Sequence, residues 1–402
     1  MKVCLIHNYY TQAGGEDGVL SAEIKLLSEN SVENIAITKK SSALSKLQLG
    51  TNFFMNSVYS EKSKKEIKQK LILEKPDVVH VHNFYSLFTP SIYDACQELK
   101  IPVVQTLHNF RIIYPNALLY NNGQVDLRTI TGSAWQVVKD KVYHDSYIKT
   151  AVMARFIEYH KKRNTWNTKV DKFIALTEFS KNVFVQFGIE SDKIIVKPNF
   201  QFQSTENIDS ANQVELPRED FVLFVGRISE EKGIVQLVKE WIEKKSSVKL
   251  KIAGEGPLFK ELSDIVNSSG IRTIEILGNQ PKEEIKKLMN QAKALVFPSL
   301  WYEGFPMVLV EALSNGLPVI TTNIGSQASI IVDQFTGYHV SVDSLSKMIE
   351  QASIIISDDG IFTRLSENAK NEFVKKYTDK VNFNQLMSIY KEAIELKKKD
   401  GQ

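Results

Sequence analysis

Eleven short apolar runs, separated by stretches of helical spacing, set the limits on what this chain can fold into. In the first half they are residues 3–7, 34–37, 77–82, 103–107, 173–176 and 194–197. In the second half they are 221–225, 249–253, 273–277, 294–297 and 317–321. Runs of four to six residues alternating with helices predict parallel strands covered by helices on both faces. A chain of 402 residues exceeds what one hydrophobic core usually serves, so the runs divide into two α/β domains. Each half alone reads as a doubly wound, Rossmann-like domain.

Residues 201–220 lie between the halves, polar and without an apolar run, and read as a linker. The organisation expected is therefore a first domain over 1–200, a linker over 201–220 and a second domain over 221–375. The end of the chain carries Phe373, Tyr377, Phe383, Leu386, Tyr390 and Ile394 at helical spacing, which predicts one helix over 373–399, with 376–402 as a separate C-terminal element.

Bulk chemistry excludes several classes. The composition, 43% hydrophobic and 24% charged, is that of an ordinary globular protein. A formal net charge of +3 is too small to imply nucleic-acid binding. Two cysteines, Cys4 and Cys96, give neither a disulfide framework nor a metal-ligand cluster and are expected to pack as small apolar residues. The opening Met-Lys-Val-Cys-Leu-Ile-His reads as a first strand rather than a secretory segment. No stretch approaches the ~20 apolar residues of a spanning helix, so a cytoplasmic protein is expected.

The densest chemistry lies in residues 299–320, Ser-Leu-Trp-Tyr-Glu-Gly-Phe-Pro-Met-Val-Leu-Val-Glu-Ala-Leu-Ser-Asn-Gly-Leu-Pro-Val-Ile. Pro306 suits the first turn of a helix and Asn315-Gly316 its end. Between them all but Glu311 and Ser314 are apolar, which predicts a buried helix with Glu311 as its one ionisable group. A carboxylate there is costly unless something polar meets it, and a ligand diol would serve. The free N–H groups that follow Glu303 would stabilise an anion at the loop mouth. The alternative is a satisfied core glutamate in an ordinary crossover, with Glu303 a surface loop residue.

At this point the chain resembles the family 4 retaining glycosyltransferases, whose hallmark is a glutamate, seven residues and a second glutamate. Here these are Glu303 and Glu311, with Phe297-Pro-Ser before them and Gly316-Leu-Pro-Val-Ile after. The resemblance covers nearly the whole chain and is densest in 220–340. It implies two facing Rossmann-like domains (the GT-B fold), a terminal helix crossing back to the first domain, and a ligand between the carboxyl ends of both sheets. It also implies transfer of a sugar from a nucleotide-diphosphate donor, with retention and without metal. Glu303 and His108 would serve catalysis. Gly14, Gly15, Gly226, Arg227, Lys232, Glu255, Gly278, Gly304, Phe305, Pro306, Met307, Val308 and Glu311 would bind the donor.

Other loops fit that reading in their own chemistry. The run 221–233 leads from a strand into a loop with two cations. Arg227 offers a planar fork and Lys232 a compact charge for phosphate oxygens, with Gly226 and Gly233 easing the turn. Glu230 and Glu231 could instead neutralise the pair in a solvated loop. No Asp-x-Asp occurs in the chain, so neutralisation of a diphosphate falls to these cations rather than to a metal held on that motif. The run 252–257 begins like a dinucleotide fingerprint, but Phe259 stands where a third glycine belongs; a bend carrying Glu255 near the nucleotide, with Gly278 close by, or a plain turn remains. Gly14-Gly15 follows the first strand and suits close approach to a ligand.

His108 ends the run 103–107 and could donate to a sugar hydroxyl or the acceptor. The family often has His-Asp where this chain has His108-Asn109, so no carboxylate base is expected there. His80 and His82 share a strand face, but with no third ligand apparent structural or acceptor-side roles are favoured over metal. Glu178, after another strand, would help shape the site. Residues 135–172 hold nine Lys or Arg against four Asp or Glu. Their cluster His160-Lys-Lys-Arg163 lies between Phe156, Tyr159 and Trp166, as would suit either an anionic membrane with lipid-linked acceptors or a solvated basic face.

The expected function is thus sugar transfer to a saccharide or lipid-linked saccharide in bacterial surface-polysaccharide assembly. The expected partners are a nucleotide-sugar donor, that acceptor and the inner membrane face, with no cofactor and no nucleic acid. Two alternatives keep the same ligand: a GT-B sugar-nucleotide epimerase, and a non-catalytic nucleotide-sugar-binding partner of an assembly complex.

Overall fold

A computed structural model describes residues 1–10, 14–41, 50, 53–54, 56–85, 87–203 and 218–400. The chain forms two compact units, Met1–Leu119 with Asp126–Asn199 and Asn382–Gln402, and Tyr120–Val125 with Phe200–Val381. Most of the expected linker, residues 204–217, falls outside the described residues.

Strands are numbered along the chain. The first unit holds β1 (Lys2–Tyr9), β2 (Glu33–Lys40), β3 (Val78–Asn83) and β4 (Val103–Leu107). A two-residue pair, β5 (Tyr120–Asn121) and β6 (Gln124–Val125), belongs to the second unit, and β7 (Lys172–Ala175) and β8 (Ile194–Val196) return to the first. The first sheet runs β2-β1-β3-β4-β7-β8 with every pair parallel. Its inner strands β3, β4 and β7 are buried at every residue, as sheets covered on both faces must be. Cys4 and Cys96 are buried free thiols.

The second unit holds β9 (Phe221–Val225), β10 (Lys249–Ala253), β11 (Ile274–Gly278), β12 (Ala294–Phe297), β13 (Val319–Thr322) and β14 (Gly337–Val340). They run β11-β10-β9-β12-β13-β14, again all parallel. Side chains alternate across this sheet. Val222, Phe224, Ile252, Val296 and Ile320 enter one core, and Phe221, Leu223, Leu295, Phe297 and Val319 enter the other. Each unit is thus doubly wound, and the strand order reverses between β1 and β3 in the first and between β9 and β12 in the second. Ligands of open α/β sheets bind at such reversals, beyond the carboxyl ends of the strands.

All eleven expected strands form. The sequence reading missed β14, whose Gly-Tyr-His-Val offers no apolar run; Gly337 is needed there because a Cβ would lie 1.9 Å from the Val319 carbonyl oxygen. The expected single terminal helix is two, Asp359–Lys376 and Asp379–Asp400. They part where the Gln201 N–H bonds the Tyr377 carbonyl and Gln201 bridges Thr378, which takes the backbone out of helical pairing. The apolar spacing runs through the break because each side has a core to fill: Phe373 and Tyr377 in the second unit, Leu386 and Tyr390 in the first.

Candidate functional site

In the second unit the loops beyond β9 and β10 and the last residue of β11 are tied backbone to backbone. Gly226 N–H donates to Ala253 O (3.1 Å), Gly254 N–H to Gly278 O (2.7 Å) and Ile228 N–H to Glu255 O (2.9 Å). Approach this close admits no side chain at Gly254, where φ is +147° and a Cβ would lie 1.9 Å from Gly226 O. Gly233 turns the chain at φ +66°, with a Cβ position 2.1 Å from Pro298 O. The glycines of this region therefore fix two loops against each other and against the end of β11, at the β9 side of the strand-order reversal. The side chains of Arg227 and Glu255 are exposed on that platform. Arg227 forms no hydrogen bond or ion pair with another described residue.

The loop beyond β12 carries Glu303, which is buried rather than a surface residue. Its Oε1 accepts from Lys232 Nζ (2.6 Å), Ser299 Oγ (2.7 Å) and Trp301 Nε1 (2.9 Å). Its Oε2 takes no bond from a described residue. Lys232 is therefore paired with Glu303, not with Glu230 or Glu231. Thr322 Oγ1 donates to Ser299 O (2.6 Å) and Gln327 Nε2 to Trp301 O (3.1 Å), so β13 and the helix after it brace the loop from behind. Ser299 and Trp301 carry no motif of their own, and their signal in the sequence is proximity to Glu303, four and two residues away.

Pro306 is the N-cap of the next helix, Met307–Ser314, rather than its first residue, and no side chain caps the end. Pro306 is buried while Gly304 and Phe305 are half-buried. The helix is not wholly buried. Met307, Val308, Glu311 and Ser314 are half-buried and, at spacings of three and four, form one face; the other four residues are sealed in the core. Burial pushes the Glu311 carboxyl above its ordinary range, against a weaker pull from Lys282. No described residue bonds or ion-pairs with that carboxylate. The satisfied core glutamate set beside the ligand reading is therefore not what forms.

In the first unit, Gly14 caps the helix Gly15–Glu29 that follows β1. A Cβ at Gly14 or Gly15 would meet nothing within 4 Å, and neither has a positive φ, so packing does not require these glycines. Beyond β3 and β4 a pocket is lined by His82, Asn83, Tyr85, Thr106, His108, Asn109 and Arg111. Burial raises the nearby Glu16 carboxyl to about 7, with Arg111 opposing; Asn83 Nδ2 (2.9 Å) and Asn109 Nδ2 (3.3 Å) donate to it. Glu178, at the exposed start of its helix, touches none of these pocket residues through a side-chain bond among the described residues.

His80 and His82 do have a third partner. Glu23, buried in the helix Gly15–Glu29, places Oε2 3.2 Å from His82 Nε2 and 3.5 Å from His80 Nδ1, and Oε1 2.9 Å from Lys197 Nζ. These three residues could by type hold a metal ion. The donor atoms are otherwise engaged: His80 Nδ1 with Tyr390 OH (2.7 Å), His80 Nε2 with Thr106 Oγ1 (2.8 Å), and Glu23 Oε1 with the Lys197 ammonium. The cluster is a charge-balanced buried network, and it anchors the last helix, since Asn382 also accepts from Lys197 (3.0 Å).

In the basic span 135–172 the charges of Lys162 and Arg163 are exposed while most of the surrounding aromatic residues turn inward. Phe156, His160 and Trp166 are buried, His160 bonds Val58 O (2.9 Å) and Thr165 Oγ1 (3.0 Å), and Lys161 bonds Gly132 O (3.1 Å). The exposed apolar residues of this span lie earlier, at Trp135, Tyr147 and Ile148. No helix among the described residues is long and apolar enough to cross a membrane.

Residues 50–200 match the family model described as Glycosyltransferase Family 4, and residues 206–372 the one described as Glycosyl transferases group 1. An uncharacterized glycosyltransferase of Methanocaldococcus jannaschii, MJ1607, is 25% identical over 346 residues, 82% of this chain and 80% of its own. The fold is similar to that of the lipopolysaccharide outer core galactosyltransferase WaaB in its apo form, with TM-score 0.65 and 19% identity, covering 99% of this chain and 100% of that one. It is also similar to Anabaena HepE in complex with UDP, with TM-score 0.64 and 17% identity over 96% and 99% of the two chains. With both halves matched, the family's paired glutamates in place and two doubly wound units of the GT-B kind, the chain belongs to the family 4, group 1 glycosyltransferases.

Proposed function

We propose that this glycosyltransferase moves a hexosyl group from a nucleotide-diphosphate sugar to a hydroxyl of a saccharide or lipid-linked saccharide, with retention and without metal. The observation that carries the reading is Glu311: a half-buried carboxylate without a partner, on the one open face of a helix whose uncapped start follows Glu303. A ribose diol supplies the two donors that such a carboxylate lacks. Arg227, Lys232 and the N–H groups of Gly304, Phe305, Met307 and Val308 stabilise the departing diphosphate. Gly14 and Gly15 leave room for the donor, and Glu255 and Gly278 border its nucleotide. Glu303, held through Oε1, presents Oε2 to donor sugar hydroxyls. The bond from the anomeric carbon to phosphate oxygen breaks as the bond to the acceptor oxygen forms on the same face. The acceptor's proton passes to the leaving phosphate oxygen.

Similarity to a lipopolysaccharide outer core galactosyltransferase and to a protein in complex with UDP supports a nucleotide donor and surface-polysaccharide assembly. Contact with an anionic inner membrane face would fall to Trp135, Tyr147 and Ile148 with Lys139 and Lys149, not to the buried aromatic residues around His160.

The test compares two variants, each first checked for folding by circular dichroism and melting. Glu303→Gln should lower single-turnover rate about 100-fold with donor affinity nearly unchanged, the ~2.7 kcal/mol expected of a charged bond that strengthens in the transition state. Glu311→Gln should weaken donor binding at least as much as it slows turnover. A Glu303→Gln enzyme with wild-type rate removes the role assigned to that carboxylate.

A further inference from the structure

Behind His108 runs a chain of buried groups that the transfer reading does not use. Lys197 donates to Glu23 Oε1 (2.9 Å), Glu23 Oε2 lies 3.2 Å from His82 Nε2, and His82 Nδ1 lies 3.0 Å from His108 Nε2. The rings of His82 and His108 are stacked, with centroids 5.2 Å apart. His108 is half-buried and lines the pocket, and its Nδ1 bonds to no described residue. Of the other ionisable groups around the chain, His80 bonds Tyr390 and Thr106, with its Nδ1 also 3.5 Å from Glu23 Oε2, and His7 bonds Asp17 through Nε2 (2.7 Å).

Burial works against a charge on Glu23, but Lys197 and the histidines outweigh it and hold the carboxyl well below its usual range. Burial, with the neighbouring His82, holds His108 well below the usual imidazole range, so it is neutral. A neutral imidazole has one N–H and one lone pair, and a carboxylate only accepts. Glu23 Oε2 and His82 Nε2 face each other at 3.2 Å outside hydrogen-bond alignment, and neither atom has a hydrogen-bond partner among the described residues. The reverse tautomer of His82 would therefore set two buried lone pairs against each other. With the His82 proton on Nε2, its Nδ1 must accept, and His108 must donate from Nε2.

We propose that Glu23 is a positioning residue: through His82 it fixes His108 in the Nε2–H tautomer, so that His108 Nδ1 faces the pocket as an acceptor for a sugar hydroxyl. His108 then receives a hydrogen bond from the ligand, where the sequence alone had suggested that it gives one. That the hydroxyl is a sugar's rests on the proposed transfer; the tautomer does not.

Long-range ¹H–¹⁵N spectra of the full-length protein read the tautomers directly. Both His82 and His108 should show a protonated Nε2 and a bare Nδ1 at neutral pH; a protonated Nδ1 on His108 overturns the proposal. In Glu23→Gln the amide can donate as well as accept, so His108 should populate both tautomers. Turnover should fall about tenfold with donor KM unchanged, and Glu23→Asp should restore part of the loss. Because a purely structural Glu23 would shift the melting temperature alone, mixed tautomers with unaltered turnover also overturn it. Should Glu23→Gln not fold, His82→Gln, which breaks the same chain one link later, is read in the same way. If the wild-type protein transfers no sugar from any donor tried, the spectra still decide the tautomer, and only the transfer reading fails.

Discussion

Both units present loops at a reversal of strand order, yet they hold their functional groups by different means. In the second unit the loops beyond β9 and β10 and the end of β11 are clamped backbone to backbone through Gly226, Gly254 and Gly278, and one side-chain cluster, Lys232 with Ser299, Trp301 and Glu303, is set beside them. In the first unit a Cβ at Gly14 or Gly15 would meet nothing within 4 Å, and order beyond β3 and β4 comes from buried side chains: Lys197, Glu23, His80, His82 and His108. A backbone clamp tolerates changes of side chain but no added Cβ. A buried network tolerates added bulk poorly too, but its specific weakness is the loss of one charge, because every other member was desolvated on the strength of it.

The largest effect should therefore come from breaking the network. Lys197→Met removes the lysine paired with Glu23 in a site where both side chains are about 1% exposed. An uncompensated buried charge should cost about 3–5 kcal/mol, read by urea unfolding. Adding Glu23→Gln to Lys197→Met should recover part of that loss, since the orphaned charge is then gone. A single variant as stable as wild type would mean that Glu23 is not held as an anion. The pH dependence has a definite sign: a carboxyl depressed in the fold contributes stability above its ordinary value, and that contribution is lost as pH falls through the folded value.

Next in size is the clamp. Gly254→Ala places a methyl group against Gly226 O at a backbone angle that L-residues avoid, and should cost about 3 kcal/mol. Gly14→Ala meets neither obstacle and should change stability by less than about 0.5 kcal/mol. If the space beside Gly14 takes the donor, this silent substitution should still weaken donor binding, measured by calorimetry. Equal losses of stability at the two glycines would erase the distinction between the units.

Local spacing made the second unit the more legible of the two. Its strands are short apolar runs, its clamps are glycines after strands, and Glu303 and Glu311 stand eight residues apart within one loop and helix. What spacing did not convey was convergence: Ser299, Trp301 and Lys232 meet on a single oxygen, and Lys232 arrives from 71 residues away. The first unit's network lay almost wholly beyond reach. Glu23 and Lys197 are 174 residues apart and His80 and Tyr390 are 310 apart, so each looked like an ordinary helix or strand residue. His80 and His82 were visible as a pair, and the acid that completes them sat unremarked in the first helix. In the basic span, charge and aromatic content drew attention to His160, whereas the helix turns that residue inward to Val58 and Thr165.

The smallest expected effect is that of metal removal, and it distinguishes the two kinds of site most cleanly. In the second unit the charges proposed to face a diphosphate are fixed ones, Arg227 and Lys232, so a chelator should leave turnover unchanged. In the first unit Glu23, His80 and His82 have ligand atoms within 4.8 Å of one another, which by residue type would suit a divalent ion. Against that, the Lys197 ammonium is 2.9 Å from Glu23 and would repel a cation, while both His80 nitrogens are spent on Tyr390 and Thr106. Dialysis against EDTA should therefore lower neither melting temperature nor rate, and added Zn²⁺ or Mn²⁺ should raise neither. A real site at 100 times its dissociation constant would add about 2.7 kcal/mol, enough to move the melting temperature by a few degrees. Such a rise with Zn²⁺, abolished in His82→Gln, would mean that Lys197 yields its place and that the first unit's network is a metal site. A loss of turnover on chelation that Mg²⁺ restores, with melting unchanged, would instead locate the error in the second unit, where the fixed cations would prove insufficient for the leaving diphosphate.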